Sequence, residues 1–424
     1  MRITIRPGSV DGAVDAPPSK SYTQRAVACA LMADGQSEIV NPSVSEDCLS
    51  ALEAARLLGA KISRQGANYL VLGGPIETPE DVVNCGGSAT ALRIFTAVSA
   101  HAPGTSVLTG DASLRRRPMA DLLSAMNELG VDCRSTRGNG LPPIIVNGGG
   151  IPGGSAELRG DVSSQFVSAL LISCTRARGD TTVTIRGPLE SKHYVDMTVG
   201  VLADFGASVS VGEGAFKVSG HQRLAPCRFT VEGDYSSASF MMAAGLLCGR
   251  SEVRGLISNS RQGDRQIVDI LRSMGGCLGE TGLGIVAEKS DLRGISLDAR
   301  QVPDLVPILS VVATQAQGET TIADIGRLRL KESNRMETIV STLQSMGATI
   351  GAADNAITIR GKTRLTGATI NPSGDHRIAM ACAVAALMAE GDTIIEDAEC
   401  ISKSYPTFAW DLKKLGADLE VEGQ

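Results

Sequence analysis

The pattern of hydrophobic and polar positions predicts two kinds of helix that alternate along the chain. The first kind is apolar on almost every side, as in residues 166–173 (FVSALLIS) and 378–389 (IAMACAVAALMA), and such a helix has to be buried. The second kind keeps a polar face, as in residues 51–60 (ALEAARLLGA) and 121–130 (DLLSAMNELG), and is therefore expected at the outside of the fold. Between them lie short Ser/Thr-rich stretches with branched residues, which predict strands.

Two sequence markers repeat with a common period along the whole chain. In the first, a buried helix ends at a glycine before a strand, and these glycines are 69 to 75 residues apart. In the second, an amphipathic helix ends in a hydrophobic residue and a glycine, with a spacing of 69 to 76 residues. The first set is Gly35, Gly104, Gly179, Gly249, Gly318 and Gly391, and the second is Gly59, Gly130, Gly206, Gly275, Gly347 and Gly416. The chain is therefore predicted to be an α/β protein of six β-α-β-α-β type units, most simply three in each of two domains.

Capping and polar residues precede each predicted buried helix. If the three buried helices of a domain are parallel, their positive N-terminal ends converge on one face. Two such faces opposed to each other would form an anion-binding cleft. The segments concerned are Lys20-Ser21, residues 86–90, Ser163-Ser164-Gln165, residues 234–237, Pro303-Asp304 and residues 375–377.

Composition restricts the class of protein. A net charge of −6 argues against nucleic acid as a partner and requires any cationic site to be local. The ten cysteines show no CxxC pair and no metal-ligand spacing, which is typical of free thiols in a reducing compartment. The longest apolar run, residues 378–389, is shorter than the ~20 residues that span a bilayer, and no secretory signal is recognised. A soluble cytoplasmic protein is expected.

The start of the first buried helix carries two cations, Lys20 and Arg25, where the helix dipole is already positive. A capped helix with two surface cations is the simple alternative, but Arg25 adjoins an apolar run, which favours a bound anion. Before the third buried helix, Ser163, Ser164 and Gln165 offer more polar groups than an N-cap needs, although a cap alone explains them equally well.

A basic stretch, Arg115-Arg116-Arg117, precedes Pro118. One alternative is a solvated loop, and the other is a mobile arm whose guanidinium groups bind phosphate or carboxylate. At most one or two consecutive arginines can face a single ligand.

Cations and carboxylates are combined again in RLRLKESNRMETIV. If this segment is helical, Lys331 and Arg335 share a face, and Glu332 lies three residues before Arg335. An exposed ion-paired helix is the alternative. Together, the scattered charged groups suit acid/base chemistry on a substrate with several negative charges. The set is Lys20, Arg25, Arg117, Lys331, Arg335, Arg377 and Lys403, with the carboxylates Asp47, Asp304 and Glu332.

These segments resemble the 5-enolpyruvylshikimate-3-phosphate synthase family of enolpyruvyl transferases over the whole chain. The motifs occur in the family order: PSKSYTQR, GGSATALR, RRRPM, DVSSQF, ESKHYVD, EGDYSSASF, QGD, VPDLVP, RLKESNR, GDHR and SKSYP. The resemblance implies a two-domain inside-out α/β barrel of six βαβαββ repeats with buried parallel helices. It implies domain boundaries at 15–231, the shikimate 3-phosphate side, and at 1–14 with 232–424, which supplies much of the phosphoenolpyruvate site.

The resemblance also implies a reaction and a set of site residues. The family joins phosphoenolpyruvate to the 5-hydroxyl of shikimate 3-phosphate, and a tetrahedral adduct then expels phosphate. Asp304 resembles the base near the 5-hydroxyl, Glu332 the acid/base at C3, and Lys20 completes the catalytic set. Neither a metal nor a cofactor is implied, and a monomer is expected. Substrate-binding positions by resemblance are Lys20, Ser21, Arg25, Ala89, Thr90, Arg117, Ser163, Ser164, Gln165, Ser191, Tyr194, Asp304, Lys331, Arg335, Arg377 and Lys403.

Two departures from the family pattern stand out. Ala89 adds a methyl group where the family commonly has Gly beside phosphoenolpyruvate, which leads us to expect reduced sensitivity to glyphosate. Arg327 and Asn334 stand where Asn or His and Asp are usual, so a hydrogen bond from position 327 to the ring of the substrate is in doubt.

Two alternative functions stay open on the sequence. The UDP-N-acetylglucosamine enolpyruvyl transferases share the fold but carry a cysteine in the mobile loop, where this chain reads SLRRRPM, and prefer Lys-Asn where it has Lys20-Ser21. A non-catalytic phosphometabolite sensor is the second alternative. Asp304 and Glu332 argue against it, because carboxylates repel an anionic ligand.

Overall fold

The computed structural model describes residues 1–423, which form two compact units. The central unit is Pro18–Val231, and the discontinuous unit is Met1–Pro17 with Glu232–Gln424. The first boundary lies slightly after the expected residue 15. The reason is that Val10–Asp15 pairs in parallel with Gly249–Arg254, and Asp234 donates its backbone N–H to the carbonyl of Pro17.

The helices alternate between buried and half-exposed, as the sequence pattern predicts. Every residue of the seventh and eleventh helices is buried, whereas the second and fourth bury only one side. The helices are α1 (Lys20–Met32), α2 (Glu46–Leu57), α3 (Ala89–Val98), α4 (Ala120–Glu128), α5 (Ser164–Cys174), α6 (Lys192–Asp204), α7 (Tyr235–Cys248), α8 (Ile267–Ser273), α9 (Val306–Gln315), α10 (Arg335–Ser345), α11 (His376–Ala386) and α12 (Phe408–Lys414).

Short strands connect the helices and cover them. Most alternate buried and exposed residues, the period-two pattern of a strand that packs on a core with one face. They are β1 (Arg2–Ile5), β2 (Val10–Asp15), β3 (Gln36–Val40), β4 (Lys61–Gln65), β5 (Asn68–Leu72), β6 (Val83–Asn84), β7 (Thr105–Thr109), β8 (Asp132–Ser135), β9 (Ile144–Asn147), β10 (Gly154–Arg159), β11 (Thr181–Arg186), β12 (Val209–Gly212), β13 (Ala215–Val218), β14 (Arg228–Thr230), β15 (Gly249–Arg254), β16 (Cys277–Glu280), β17 (Gly284–Glu288), β18 (Ser296–Asp298), β19 (Gly318–Ala323), β20 (Thr349–Ala353), β21 (Ala356–Gly361), β22 (Thr369–Ile370), β23 (Thr393–Ile395) and β24 (Leu419–Glu422).

The described strands form six four-stranded sheets, each with one parallel and two antiparallel pairs. The central unit contains the orders β14-β3-β5-β4, β6-β7-β9-β8 and β10-β11-β13-β12. The discontinuous unit contains β2-β15-β17-β16, β18-β19-β21-β20 and β22-β23-β1-β24. The predicted six-fold repeat is therefore confirmed, with three sheets in each unit.

Each unit is closed by strands from the two ends of its sequence. In the central unit the last strand, β14, pairs in parallel with the first, β3, through the register Arg228↔Glu38. In the discontinuous unit, β1 lies between β23 and β24, with Ile3 opposite both Ile395 and Val421. In the central unit the first sheet therefore needs the last strand, and in the discontinuous unit the last sheet needs the first strand.

The cores consist of six nearly apolar helices, three in each unit. Their many Ala, Gly and Ser residues allow close approach between neighbouring helices, so the few aromatic rings are not needed to fill space. Five of the six begin with a side-chain N-cap that accepts a backbone N–H, namely Ser19, Ser88, Ser163, Asp234 and Asp375. The exception is α9, which continues a 3-10 turn with Pro303 in its first position.

Two buried helices of the central unit, α3 and α5, run in the same direction. Arg93, near the start of α3, donates to Ser163, the N-cap of α5, at 3.0 Å. At the opposite end, Ser173 of α5 donates to the carbonyl of Ala97 on α3 at 2.6 Å. Contacts at both ends between like termini require α3 and α5 to be parallel.

N-terminal ends of buried helices also meet elsewhere. Gln24 of α1 donates to Ser88, the N-cap of α3, at 3.1 Å. In the discontinuous unit, Arg377 near the start of α11 lies 3.5 Å from a carboxylate oxygen of Asp304, two residues before α9. In each unit, positive helix ends are therefore gathered on one face, as the repeat predicts. Within residues 1–423, no helix combines the length and apolar character required to cross a membrane.

Candidate active site

An ion pair lies on the face of the central unit that is formed by the N-terminal ends of its buried helices. Lys20 is the first residue of α1, and its Nζ lies 2.8 Å from Oδ2 of Asp47 on α2. The side chains are only 19% and 11% exposed, so the pair fixes the ammonium group at the surface of the buried helix ends. Ser21 follows on α1 and is half-buried.

Arg25 is buried among neutral oxygens rather than carboxylates. Its Nε donates to the Thr198 hydroxyl at 2.8 Å, and its Nη atoms donate to the Ser168 hydroxyl and to the carbonyls of Ser21 and Tyr194. The Tyr194 ring centroid lies 5.7 Å from the guanidinium carbon. Burial lowers the pKa of Arg25 to about 10, so it stays cationic at neutral pH. A buried cation held by neutral groups is suited to receive an anion.

The cap of α5 lies on the same face. Ser163 accepts the backbone N–H of Gln165, and Arg93 donates to both side chains, at 3.0 Å to Ser163 Oγ and 2.6 Å to Gln165 Oε1. Ser164, the first residue of α5, is buried. These contacts go beyond a simple cap.

The other predicted positions of the central unit are placed as follows. Ala89 is buried and Thr90 half-buried in the first turn of α3. Of the three consecutive arginines, Arg117 is buried and Arg115 and Arg116 are exposed. Ser191 is buried immediately before α6 with φ 51°, a left-handed conformation that non-glycine residues adopt infrequently.

The discontinuous unit gathers three cations around one carboxylate. Asp304 Oδ1 lies 3.0 Å from Lys331 Nζ and 2.9 Å from Arg335 Nη1, and its Oδ2 lies 3.5 Å from Arg377 Nη2. Burial raises the pKa of Asp304, but these cations, first Arg377, outweigh it and hold the pKa well below the usual range. Asp304 is therefore ionised at neutral pH.

Arg335 connects three carboxylates at the centre of this cluster. Its Nε lies 2.9 Å from Asp375 Oδ2, and its Nη2 lies 2.6 Å from Glu332 Oε2. Burial lowers the pKa of Arg335, but Asp375, Glu332 and Asp304 raise it overall. Burial likewise lowers the pKa of Lys331, with Asp304 opposing. Acid/base groups and cations thus share one buried network.

The prediction that residues 331–335 are helical is wrong. A 3-10 turn, Gly326–Leu330, ends before Lys331, and α10 begins only at Arg335. Asn334 takes the N-cap position of α10 without a side-chain cap bond. Lys331 and Arg335 still converge, because both bind Asp304 rather than because they share a helix face. An irregular segment allows Lys331 and Glu332 to point to different partners.

Residues 5–412 match the family model described as EPSP synthase (3-phosphoshikimate 1-carboxyvinyltransferase). The chain belongs to the EPSP synthase family.

Curated relatives and solved structures agree with this assignment. A 3-phosphoshikimate 1-carboxyvinyltransferase from Methanocaldococcus jannaschii is 41% identical over 427 residues, covering all of both chains. One from Methanococcus vannielii is 39% identical over 429 residues, covering 99% of this chain and all of the relative. The structure of EPSP synthase from Acinetobacter baumannii superposes with a TM-score of 0.83 at 27% identity, over 99% of this chain and 100% of that one. The α/β architecture implied by the resemblance is confirmed.

Two further polar positions of this EPSP synthase family member lie beside Asp375, at the edge of the Asp304 network. Lys403, at the end of a 3-10 helix, donates to the carbonyl of Gly374 at 3.4 Å, directly before the N-cap Asp375. His376, the first residue of α11, is fully buried. Lys403 therefore reaches the N-terminal end of α11.

The motif QGD contributes a group that the sequence did not assign. Asp264 is buried and accepts a hydrogen bond from the hydroxyl of Ser236 in the first turn of α7. Burial and then the charge of Asp304 raise the pKa of Asp264 to about 7, against the opposing effect of Arg377. Asp264 thus holds a proton at a pH at which Asp304 has none.

We expect this raised pKa to make stability fall as pH rises. Between the ordinary aspartate value and about 7 the folded chain keeps a proton that the unfolded chain releases, so unfolding becomes easier with rising pH. Asp264→Asn has no such proton to keep, so its stability does not fall in this way as the pH rises. The Tm of the variant minus the Tm of the wild type should therefore be larger at pH 8 than at pH 5. Thermal unfolding at both values tests it, with Asp269→Asn, an exposed position on α8, as control. The same difference in Tm at both pH values would contradict the raised pKa of Asp264.

Residues outside the sequence-based set complete the site. Arg93 binds Gln165, Asp375 binds Arg335, and Asp264 lies within the charge field of Asp304. The three residues belong to the family motifs GGSATALR, GDHR and QGD, respectively. The sequence therefore contained a signal for each residue, but it did not reveal which side chains they contact. Among residues 1–423, no three His, Cys, Asp or Glu side chains are grouped so that they could hold a metal ion.

Proposed function

We propose that this chain transfers the enolpyruvyl group of phosphoenolpyruvate to the 5-hydroxyl of shikimate 3-phosphate, releasing phosphate, in aromatic amino acid biosynthesis. The observation that carries the proposal is the Arg335 network, in which Asp304 and Glu332 are held among cations at the ends of buried helices. Membership of the EPSP synthase family supports the same reaction.

The proposed chemistry consists of proton transfers, one C–O bond formed and one C–O bond broken, with no redox step. Asp304 accepts the proton of the 5-hydroxyl as its oxygen bonds to C2 of phosphoenolpyruvate, while Glu332 protonates C3. Glu332 then takes a proton back from C3 as the C2–phosphate bond breaks, which restores the double bond and releases phosphate. The proton held by Asp304 passes to the released phosphate, so both carboxyl groups return to their starting states. Asp304 is ionised before the reaction, which is the protonation state that a proton acceptor needs.

The cations are proposed to bind the anionic groups of the substrates and to stabilise the charge of the adduct. We assign shikimate 3-phosphate chiefly to the central unit and much of the phosphoenolpyruvate site to the discontinuous unit. The shikimate 3-phosphate residues are Lys20, Ser21, Arg25, Ser163, Ser164, Gln165, Ser191 and Tyr194, with Asp304 and Lys331. The phosphoenolpyruvate residues are Lys20, Arg117, Gln165, Arg335, Arg377 and Lys403, with Ala89 and Thr90 nearby.

Arg25→Met should weaken shikimate 3-phosphate binding by about 10- to 150-fold. A hydrogen bond to a charged group contributes about 1.5–3 kcal/mol, and Met fills the buried space without offering a donor. Calorimetric titration of shikimate 3-phosphate measures the loss. Arg176→Met is the control, because that guanidinium binds carbonyls at the opposite, C-terminal end of the buried helices. Equal dissociation constants for wild type and Arg25→Met would contradict the assignment.

Ala89→Gly should increase inhibition by glyphosate. One methyl group in a binding pocket changes affinity by roughly 10- to 200-fold, and phosphoenolpyruvate, being shorter, should respond less. Inhibition constants against phosphoenolpyruvate test this. Ala91→Gly, two residues further along α3, controls for the lost helix propensity. Unchanged inhibition by glyphosate in Ala89→Gly would contradict the proposed effect of the Ala89 methyl group.

Phosphate release tests the reaction itself. Purified protein is given phosphoenolpyruvate with shikimate 3-phosphate, and in parallel with UDP-N-acetylglucosamine. Release only with shikimate 3-phosphate supports the proposal, and release only with the nucleotide sugar overturns the substrate. Binding of shikimate 3-phosphate without release in either reaction would favour a sensor.

We further propose that the chain works in the cytoplasm as a monomer and without a cofactor. All ten cysteines are free thiols in the structure, which suits a reducing compartment. Light scattering at assay concentration tests the monomer, and a mass near twice the 44.0 kDa of the chain would contradict it.

A further inference from the structure

Arg93 lies inside the buried helix α3, one turn after Ala89 and Thr90. The residue is 8% exposed, and its guanidinium group reaches the N-terminus of the neighbouring helix, α5. The guanidinium carbon is 4.8 Å from the ring centroid of Phe166, which is fully buried. A cation over an aromatic face is held in one plane, so the directions of its N–H groups are set by the core.

The first consequence concerns the side-chain amide of Gln165. Arg93 Nη1 lies 2.6 Å from Gln165 Oε1. A guanidinium group has only donors, so the amide atom that faces it has to be the oxygen. The amide NH₂ group of Gln165 is then turned away from Arg93. Gln165 therefore presents donors and not its acceptor to whatever occupies the face of the buried helices.

The second consequence concerns the hydroxyl of Ser163. Its Oγ accepts from Arg93 Nη1 at 3.0 Å and from the backbone N–H of Gln165 at 3.3 Å. Both acceptor positions of the oxygen are thus used, and the hydroxyl proton is left to donate. Like Gln165, Ser163 then has a donor to offer an anion.

A third contact extends the effect to the arginine-rich segment. Arg93 Nη2 donates to the carbonyl of Pro118 at 3.4 Å. Pro118 follows Arg117 directly, and Arg117 is the buried member of the three consecutive arginines. One guanidinium group therefore holds the cap of α5 and the segment that carries Arg117 at the same time.

We propose that Arg93 is a positioning residue that sets the hydrogen-bond polarity of the site, by occupying the acceptors of Gln165 and Ser163 so that both present donors to anionic substrate. The inference rests on the proposed function for the identity of that substrate. A freely rotating glutamine would offer its carbonyl oxygen in part of the population, and that oxygen repels phosphate and carboxylate.

A double-mutant cycle between Arg93 and Gln165 tests this. Arg93→Met should lower kcat/KM by up to about 100-fold, because a misdirected group near the reacting atoms has an effect of that size. KM should rise for both substrates, since Gln165 is assigned to both. If Arg93 acts through Gln165, adding Arg93→Met to Gln165→Met should cost far less than it does in the wild type. Losses that simply multiply would overturn the proposal.

Stability and function are separated by a matched variant. Arg176→Met also removes a partly buried arginine of the central unit that binds backbone carbonyls, but at the far end of the helices. It should lower Tm as Arg93→Met does and leave both KM values unchanged. If Arg93→Met and Arg176→Met have the same kinetic constants, Arg93 is only structural.

A conservative variant keeps the test informative if Arg93→Met fails to fold. Arg93→Lys keeps the charge, but a single ammonium group cannot reproduce the planar fork that reaches Gln165, Ser163 and Pro118 together. Both KM values should rise, by less than in Arg93→Met, and unchanged values in a folded Arg93→Lys would overturn the proposal. Phosphate release by the wild type is measured in the same series, so a wrong substrate is recognised separately from a wrong role for Arg93.

Discussion

Asp304→Asn and Glu332→Gln are each expected to lower kcat by about 100- to 10,000-fold while substrate binding changes little. Both replacements keep the size of the side chain and some of its hydrogen bonds. However, neither amide can accept or donate the proton that the reaction moves. Binding should hold or improve, because the anionic substrates no longer meet a like charge. Steady-state kinetics and calorimetric titration of shikimate 3-phosphate provide the two measurements.

A fall in kcat without a fall in substrate affinity would support the proton-transfer roles of Asp304 and Glu332. If kcat/KM and affinity fall together, the two carboxylates are binding groups, and the proton-transfer roles are wrong. Asp298→Asn is the matched control, since Asp298 also pairs with an arginine, Arg300, but at an exposed position. Its kinetic constants should equal those of the wild type.

Arg335→Met is expected to lower the free energy of unfolding by about 3–5 kcal/mol, in addition to abolishing activity. The side chain of Arg335 is 1% exposed and pairs with Asp304, Glu332 and Asp375. Without the guanidinium group, these carboxylates repel one another where water reaches them poorly. Thermal and urea-induced unfolding measure the loss.

The pH dependence of this loss identifies its cause. Acid should reduce the difference between Arg335→Met and wild type, because protonation removes the repulsion between the carboxylates in the variant. Arg300→Met removes an arginine whose side chain is 46% exposed, and such surface pairs contribute only about 0–1 kcal/mol. A loss in Arg335→Met as small as that in Arg300→Met would mean that the network does not stabilise the fold.

Arg335 and Arg25 are both buried cations, but their partners differ. Arg335 is neutralised by carboxylates within its own unit, so its removal leaves buried negative charge. Arg25 is bound by hydroxyl and carbonyl oxygens, so its removal leaves no buried carboxylate unpaired. Arg25→Met should therefore affect ligand binding more than folding, and Arg335→Met should affect both.

Repetition made much of the fold predictable. The apolar helices and the recurring glycines follow from local patterns, since a helix without a polar face has to be buried and its end has to turn. Family motifs identified the reaction and most of the charged residues, because those motifs are contiguous. The helix considered at residues 331–335 was wrong, because charge spacing alone cannot distinguish a helix from an irregular segment held by a distant carboxylate.

The sequence by itself determined the six-fold repeat, the buried helices and the identity of the cations and carboxylates. Only the tertiary structure decided which charges meet: that Arg335 joins three carboxylates, that Arg25 has neutral partners, and that Arg93 orients Gln165. The physical reason is that helix patterns depend on neighbours a few residues apart. Hydrogen bonds and ion pairs at a site depend on side chains brought together from distant parts of the chain, and their directions depend on the packing around them.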